Sequence, residues 1–262
     1  MGGGAVGEFL NQWPPCTRYL LLLSVAIPLS VRLGIISAYD LLFSTQMLYK
    51  RMQLWRLVTP FFFCAVNLNY LHALYVRFNY SLLLERSSDF AGNGADYLFF
   101  LLFSSLCTLI GGWALGLVVF WNSMTISIVY LWSRLHASSD VSLMFGIRFK
   151  AFWLPYAMIG LDCVNGVSPY VGALGILSGH AFYFLRFVWP KMRGGRDVLK
   201  TPVFLKRAFN APGPLSGVKT GHSRQNAVVT GAGYTMYVPA SRQDASERPA
   251  PLFVGKGRRV CD

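Results

Sequence analysis

Long apolar runs alternate along this chain with short polar breaks. Residues 19–38 form the first run, about the 20 residues a helix needs to cross a hydrocarbon core. Pro28 inside it is a candidate kink, and Arg32 near its end is placed to snorkel toward an interface. Residues 39–60 differ: Leu41, Leu42, Met47, Leu48, Leu54, Trp55, Leu57 and Val58 alternate with Lys50, Arg51 and Arg56. That pattern is too polar to span and too apolar for a free loop, so it predicts an amphipathic segment lying in the interface. A second span falls within residues 61–84, where Asn67, Asn69, His72, Arg77 and Asn79 interrupt the run and leave only residues 71–84 to cross. Residues 85–96 are a polar loop with Gly92 and Gly94 as breakers. Residues 97–110 predict a short third span of about 21 Å, ended by a turn at Gly111-Gly112. Residues 115–131 predict the fourth, 152–164 with Pro155 a short fifth, and 171–189 the sixth. Residues 132–150 read as a polar loop and 165–170 as a turn.

The sixth run carries one formal charge, Arg186, and a stripe of small residues. Gly172, Gly175 and Gly179 fall at i, i+3 and i+7, on one side of a helix. In lipid, packing drives helix association, so a glycine stripe admits a neighbouring helix closely. Gly116, Ser123 and Ser127 make the matching small-residue face on the fourth span. The plan is thus a lead-in at 1–18, a six-helix membrane domain at 19–190, and a tail at 191–262. The tail is rich in Gly, Pro, Ser and basic residues without apolar periodicity, which predicts disorder. A short membrane-surface helix over residues 201–209, built on Leu205, Ala208 and Phe209, is the exception.

Composition agrees with an all-α membrane protein: 54% hydrophobic, 13% charged, mean hydropathy +0.43. Of the net charge of +13, most sits from Pro190 onward, with 13 Lys/Arg against 4 Asp/Glu. Six crossings put both ends on one side. The basic loop 132–150 shares that side, which the positive-inside rule makes cytosolic. Lys50 and Arg51 lie opposite, where an interfacial helix can hold them. No nucleic-acid motif accompanies the charge. Five scattered Cys without CxxC and four His without HxxxH or HExxH argue against a zinc site or disulfide framework, and no cofactor is implied. The first run follows one basic residue without a clear cleavage site and reads as a retained signal-anchor.

Several blocks, in order over roughly residues 15–210, resemble the Derlin family, rhomboid-like pseudoproteases of the endoplasmic reticulum. They are Gln53-Leu54-Trp55-Arg56, with the family's Trp-Arg motif at Trp55 and Arg56; Ala95-Asp96-Tyr97-Leu98-Phe99; Phe145-Gly146-Ile147-Arg148-Phe149-Lys150-Ala151; Leu154-Pro155; Gly175-xxx-Gly179-His180; Gly194-Gly195-Arg196; and Thr201-Pro202-x-Phe204-Leu205. The stretch around residues 64–70 looks shorter than in animal Derlins. The resemblance implies a six-transmembrane-helix rhomboid-like fold in the endoplasmic reticulum membrane with both termini cytosolic. It also implies a non-proteolytic role in ER-associated degradation, helping misfolded proteins return to the cytosol with a membrane ubiquitin ligase. Whether the chain acts alone or as a homo- or hetero-oligomer stays open.

The alternative is an active rhomboid intramembrane serine protease, which needs a serine with a base in reach. Ser123 lacks the flanking glycines of Gly-x-Ser-Gly, and Ser178-Gly179 is preceded by Ile176 at the first glycine position. His180 is two residues from Ser178 and points to another face of the helix. The position that carries the dyad histidine in active rhomboids is Gly172. His180 therefore reads as a polar group satisfied between helices.

Phe253-Val254-Gly255-Lys256-Gly257-Arg258-Arg259-Val260 resembles the SHP box, Phe-x-Gly-x-Gly-x-x-Leu, which docks the hexameric ATPase valosin-containing protein. The expected contacts are Phe253 in an apolar pocket and Gly255 and Gly257 close to the partner backbone. Val260 in place of Leu weakens the anchor by about one buried CH₂, near 0.8 kcal/mol. Short spans and the interfacial first loop together suggest local thinning of the bilayer, which eases entry of polar backbone.

Overall fold

The computed structural model describes residues 13–90, 94–142, 148–192, 199, 201–210, 229–231 and 234–236. The SHP-like box, Gly194-Gly195-Arg196, residues 145–147 and most of the tail lie outside them. The chain divides into two units, Met1–Ser223 and Arg224–Asp262. The second contributes one antiparallel pair, β3 (Val229–Gly231) with β4 (Tyr234–Met236).

The first unit is helical. Helix α1 is Pro15–Arg32, opened by a proline whose missing N–H is no loss in a first turn, with Pro28 buried inside it. The first loop folds into α2 (Ala38–Leu41), α3 (Thr45–Arg51) and two 3₁₀ turns, Leu54–Leu57 and Thr59–Phe61. Tyr39, Tyr49, Met52, Leu54, Trp55 and Val58 are all exposed there, which suits a segment lying against lipid. Helix α4 is Leu68–Arg86, its N-terminus capped by Asn67, whose side chain accepts from the Tyr70 N–H at 2.8 Å. It begins three residues earlier than the interrupted pattern suggested and runs past Glu85, and its charged residues Arg77 and Glu85 find partners inside the bundle.

Helix α5, Gly94–Leu115, overturns the expectation of a short third span. Its 22 residues extend about 33 Å, and Gly111-Gly112 is helix rather than turn. The pair is there for close approach. A Cβ on Gly111 would lie 2.5 Å from Leu174, and one on Gly112 would lie 2.2 Å from Phe120. The chain reverses instead at Gly116, with φ +67°, so Gly116 lies in the turn and not on the face of the following helix. Helix α6, Trp121–Leu135, is correspondingly shorter than expected at its start. The predicted loop after it contains a small hairpin, β1 (Asp140–Ser142) with β2 (Arg148–Lys150). Helix α7 is Leu154–Val164, with Pro155 in its first turn. Helix α8, Pro169–Tyr183, continues through a π-helical turn, Phe184–Val188, into α9, Trp189–Met192. Helix α10 is Val203–Asn210, where the surface helix was expected.

Two of these helical stretches, Gly94–Leu115 and Pro169–Met192, are long and apolar enough to cross a membrane. Ala151–Val164 is a shorter apolar one. The centre belongs to α6, where Ile126, Ile128, Val129 and Leu131 have no exposure and Trp121 and Trp132 almost none. Ring contacts fix directions: Tyr70 meets Trp121 and, further along both helices, Tyr80 meets Trp132, so α4 and α6 run parallel. Helix α8 runs parallel to α6 as well, with Gly175 against Ser123 and Gly179 against Ser127 and Tyr130. Helix α1 runs antiparallel to α4, pairing Ser24 with Tyr70 and Thr17 with Glu85. Helix α5 runs antiparallel to α8, pairing Phe100 with Phe182 and Gly111 with Leu174. The first loop is pinned to the α5–α6 turn by Phe43 N–H to the Val118 carbonyl at 2.9 Å and Phe120 N–H to the Pro60 carbonyl at 3.0 Å.

The glycine stripe allows a comparison. A Cβ on Gly175 would meet the Ser123 carbonyl oxygen at 2.5 Å, whereas one on Gly160 of α7 meets nothing within 4 Å. Gly175→Ala is expected to lower stability by about 1–3 kcal/mol, the range for overpacking, while Gly160→Ala is neutral or slightly stabilising. Thermal unfolding of both variants in detergent checks this; equal melting temperatures would refute the close α6–α8 contact.

Candidate functional site

Arg77 sits midway along α4, completely buried. An arginine is always charged, and moving it out of water costs several kcal/mol unless its N–H groups are met. Here its Nε donates to Thr125 Oγ1 at 3.0 Å, its Nη1 to Ser24 Oγ and the Phe61 carbonyl, each at 3.1 Å, and its Nη2 to the Trp121 carbonyl at 2.7 Å. The guanidinium also lies over the Trp121 ring, 3.7 Å from its centroid. Among the described residues Arg77 takes part in no ion pair. One side chain thus ties α1, the end of the first loop and the start of α6 to α4. Sequence reasoning placed Arg77 only among the interruptions of a span. The signal was present, since a charge in mid-span has to face protein or water.

The opposite end of α4 holds a second buried polar group that the pattern assigned to a loop. Glu85 reaches across to α1, accepting from Cys16 N–H at 3.0 Å, Thr17 N–H at 2.7 Å and Thr17 Oγ1 at 2.7 Å. Pro14, at the N-cap of α1, supplies no side-chain cap, and a carboxylate from another helix takes that place. The hydroxyl chain continues from Thr17 to Ser81 at 3.0 Å and from Ser81 to Tyr97 of α5 at 2.6 Å.

Arg56 of the Trp-Arg pair is buried, while Trp55 is 53% exposed. Its Nη1 donates to the carbonyls of Tyr39 at 2.6 Å and Leu42 at 2.9 Å, its Nε to Gln53 Oε1 at 2.6 Å, and its Nη2 pairs with Asp40 at 3.4 Å. Thr59 Oγ1 adds contacts to the carbonyls of Leu41 and Trp55. The arginine therefore closes the first loop on itself through backbone carbonyls, and the adjacent tryptophan is left facing outward.

The serines are engaged without a base. Ser123 Oγ donates to the Val171 carbonyl at 2.6 Å. Ser178 Oγ donates to the Gly175 carbonyl at 3.0 Å and accepts from Ser104, which also contacts Ser127 at 2.5 Å. His180 is exposed and its Nδ1 bonds Tyr130 Oη at 2.7 Å, so its partner is a phenol on α6 rather than a serine. Gly172 carries no side chain to act as base, and a Cβ there would lie 2.6 Å from Ile159. Gly172, Gly175 and Gly179 together bring α8 onto α6 and α7.

A last polar cluster fixes the segment after α9. Asp96, at the start of α5, pairs with Arg186 at 3.6 Å and accepts a hydrogen bond from Thr201, while Arg186 also donates to the Leu199 carbonyl at 2.5 Å. Phe253, Gly255, Gly257 and Val260 lie outside the described residues.

A bundle of apolar helices whose buried charged groups are met by hydrogen bonds inside it is consistent with a membrane protein. The sequence model of the Der1-like family matches residues 13–203. Human Derlin-1 is 39% identical over 207 residues, covering 77% of this chain and 82% of that protein, and mouse Derlin-1 is 40% identical over the same share. Derlin-2.1 of Arabidopsis thaliana is 37% identical over 217 residues, 78% of this chain and 88% of that protein. The chain belongs to the Der1-like family.

Removing Arg77 takes a donor from the Phe61 and Trp121 carbonyls and from the Ser24 and Thr125 hydroxyls; Thr125 Oγ1 still donates to the Trp121 carbonyl at 3.0 Å, and each group left unmet costs about 1–3 kcal/mol. Arg77→Met is expected to lower stability by at least about 3 kcal/mol, and Arg77→Lys to recover less than half of that, because a point charge cannot meet four acceptors. Glu85→Gln keeps an acceptor but loses the charge at the α1 terminus, for a smaller loss near 1 kcal/mol. Unfolding of the detergent-solubilised full chain orders the three. A second expectation concerns Arg56→Ala. It releases the carbonyls of Tyr39 and Leu42, so backbone amide exchange should accelerate within residues 38–58 while α5 and α6 stay protected.

Proposed function

We propose that this chain is a non-proteolytic component of ER-associated degradation, with six membrane crossings, a rhomboid-like arrangement and both termini in the cytosol. Alternation of five of the helices, with α4, α6 and α8 parallel and α1 and α5 opposed to them, supports the crossing count, with the shorter α7 as the remaining crossing. So does the charge of the tail, which favours the cytosolic leaflet. In this reading the membrane domain helps misfolded proteins pass back to the cytosol beside a membrane ubiquitin ligase. The tail recruits valosin-containing protein through Phe253, Gly255, Gly257 and Val260.

One observation carries the non-proteolytic part: both candidate serine hydroxyls donate to carbonyls, and no histidine contacts either among the described residues. A serine without a base in hydrogen-bond reach is a weak nucleophile. The glycines of α8 have the complementary role, trading side chains for close packing against α6. Thinning of the bilayer no longer rests on the third span. It rests on α7, which with its leading turn is Ala151–Val164, about 21 Å against a core near 30 Å. The exposed first loop with Trp55 is the other support.

Two measurements bear on this. Pull-down of the ATPase with the full chain should exceed that with a chain cut after Pro251, and Phe253→Ala should fall to the truncated level; equal recovery by all three would remove the docking motif. A serine-reactive fluorophosphonate should leave the reconstituted protein unlabelled, and labelling of Ser123 or Ser178 would favour the protease instead.

A further inference from the structure

An apolar groove of about 290 Å³ runs between α1 and α5. Its walls are Leu20 and Leu23 on one side and Leu98, Leu101, Leu102 and Ser105 on the other. From Cys16 to Leu23, and again from Leu98 to Ser105, the wall spans eight residues, about 10 Å of helix. Leu57, Val58 and the phenylalanines of the first loop close one end. Phe209 of α10 lines the other, and a Cβ on Gly94 would meet its ring at 2.6 Å. A cavity with so little polar lining does not hold ordered water well.

Helix α10 is more than a plug. Leu205 is buried, yet Val203 and Phe204 are 65% and 70% exposed. Lys206 and Arg207 are exposed beside them, and neither is in an ion pair among the described residues. Two large apolar residues next to two cations on an eight-residue helix form the profile of a segment resting on a lipid surface. Of the carboxylates at this end, Glu85 is engaged by the α1 terminus and Asp96 by Arg186 with Thr201, while Asp89 is exposed in the turn after α4 and in no ion pair with either cation. Two unpaired cations thus sit at the mouth of an acyl-sized apolar groove.

We propose that the α1–α5 groove and α10 together form a binding site for one anionic glycerophospholipid. The upper part of one acyl chain lies between Leu20, Leu23, Leu98 and Leu102, and the phosphate rests on Lys206 and Arg207. Arg186, by holding Leu199 and Asp96, keeps the start of α10 at the groove mouth. The site rests on α1 and α5 being exposed to lipid and is independent of ATPase docking.

The test uses the full chain in nanodiscs of phosphatidylcholine containing phosphatidylserine or phosphatidylcholine with a photoreactive acyl chain. Mapped crosslinks should concentrate within residues 16–23 and 98–105. Phosphatidylserine should be favoured about 25-fold, from about fivefold for each of the two cations near an anionic lipid. Lys206→Glu with Arg207→Glu should abolish that preference and leave phosphatidylcholine crosslinking as it was. Ser105→Trp, which fills the groove, should reduce both. Equal labelling by the two lipids in the unaltered chain, labelling spread evenly over the helices, or a preference that survives charge reversal would each overturn the site. The map on the unaltered chain decides the matter if either variant fails to fold.

Discussion

Four acceptors converge on the guanidinium of Arg77, and they come from α1, from the first loop and from two positions on α6. A permanent charge in the middle of an apolar bundle is tolerable only when those acceptors are all in place together, because each unmet N–H keeps its desolvation cost. That makes the assembly close to all-or-none at this point. Helix α1 cannot shift along α4 without releasing Ser24, and the Thr59–Phe61 turn cannot lift without releasing the Phe61 carbonyl. The indole of Trp121 covers the guanidinium face and packs against Tyr70, so the polar hub and the aromatic core are one structure.

Around this hub, polar contacts do what water exclusion cannot do between helices in lipid. Glu85 supplies the cap that α1 lacks, Arg56 collects the carbonyls of the first loop, and Asp96 with Arg186 holds the segment after the last helix. Each is a charged group meeting backbone or hydroxyl partners, so each fixes a position as well as adding attraction. Close packing supplies the rest: Gly111 and Gly112 admit Leu174 and Phe120, and Gly175 admits the backbone of α6.

This division bears on function. Rhomboid-type cutting needs a serine freed toward a base, and here Ser123 donates to the Val171 carbonyl while Ser178 donates to the Gly175 carbonyl and joins the hydroxyls of Ser104 and Ser127. The same small residues that could frame a catalytic site serve instead to bring α6 and α8 together. Among the exposed surfaces are apolar and basic ones: the first loop with Trp55, the α1–α5 groove, and the Lys206–Arg207 face of α10. In the proposed role these are the surfaces available to lipid and client chains.

The apolar runs of the sequence determined that the chain is helical and membrane-embedded. They placed the main helices to within a few residues, apart from the extent of the third and the start of the fourth, and the short helix near residue 205, because apolarity is read out residue by residue. The order of motifs, from Trp55-Arg56 to Gly175-xxx-Gly179, was enough to name the family. Other features depended on atoms distant in the chain. Gly111-Gly112 looks the same in sequence whether it turns the chain or admits Leu174 and Phe120, and only the neighbours decide. Arg77 and Glu85 register as blemishes in a hydropathy pattern, since their partners lie 16 to 69 residues away. A residue's apolarity is its own property, whereas the satisfaction of a buried charge belongs to the tertiary structure that surrounds it.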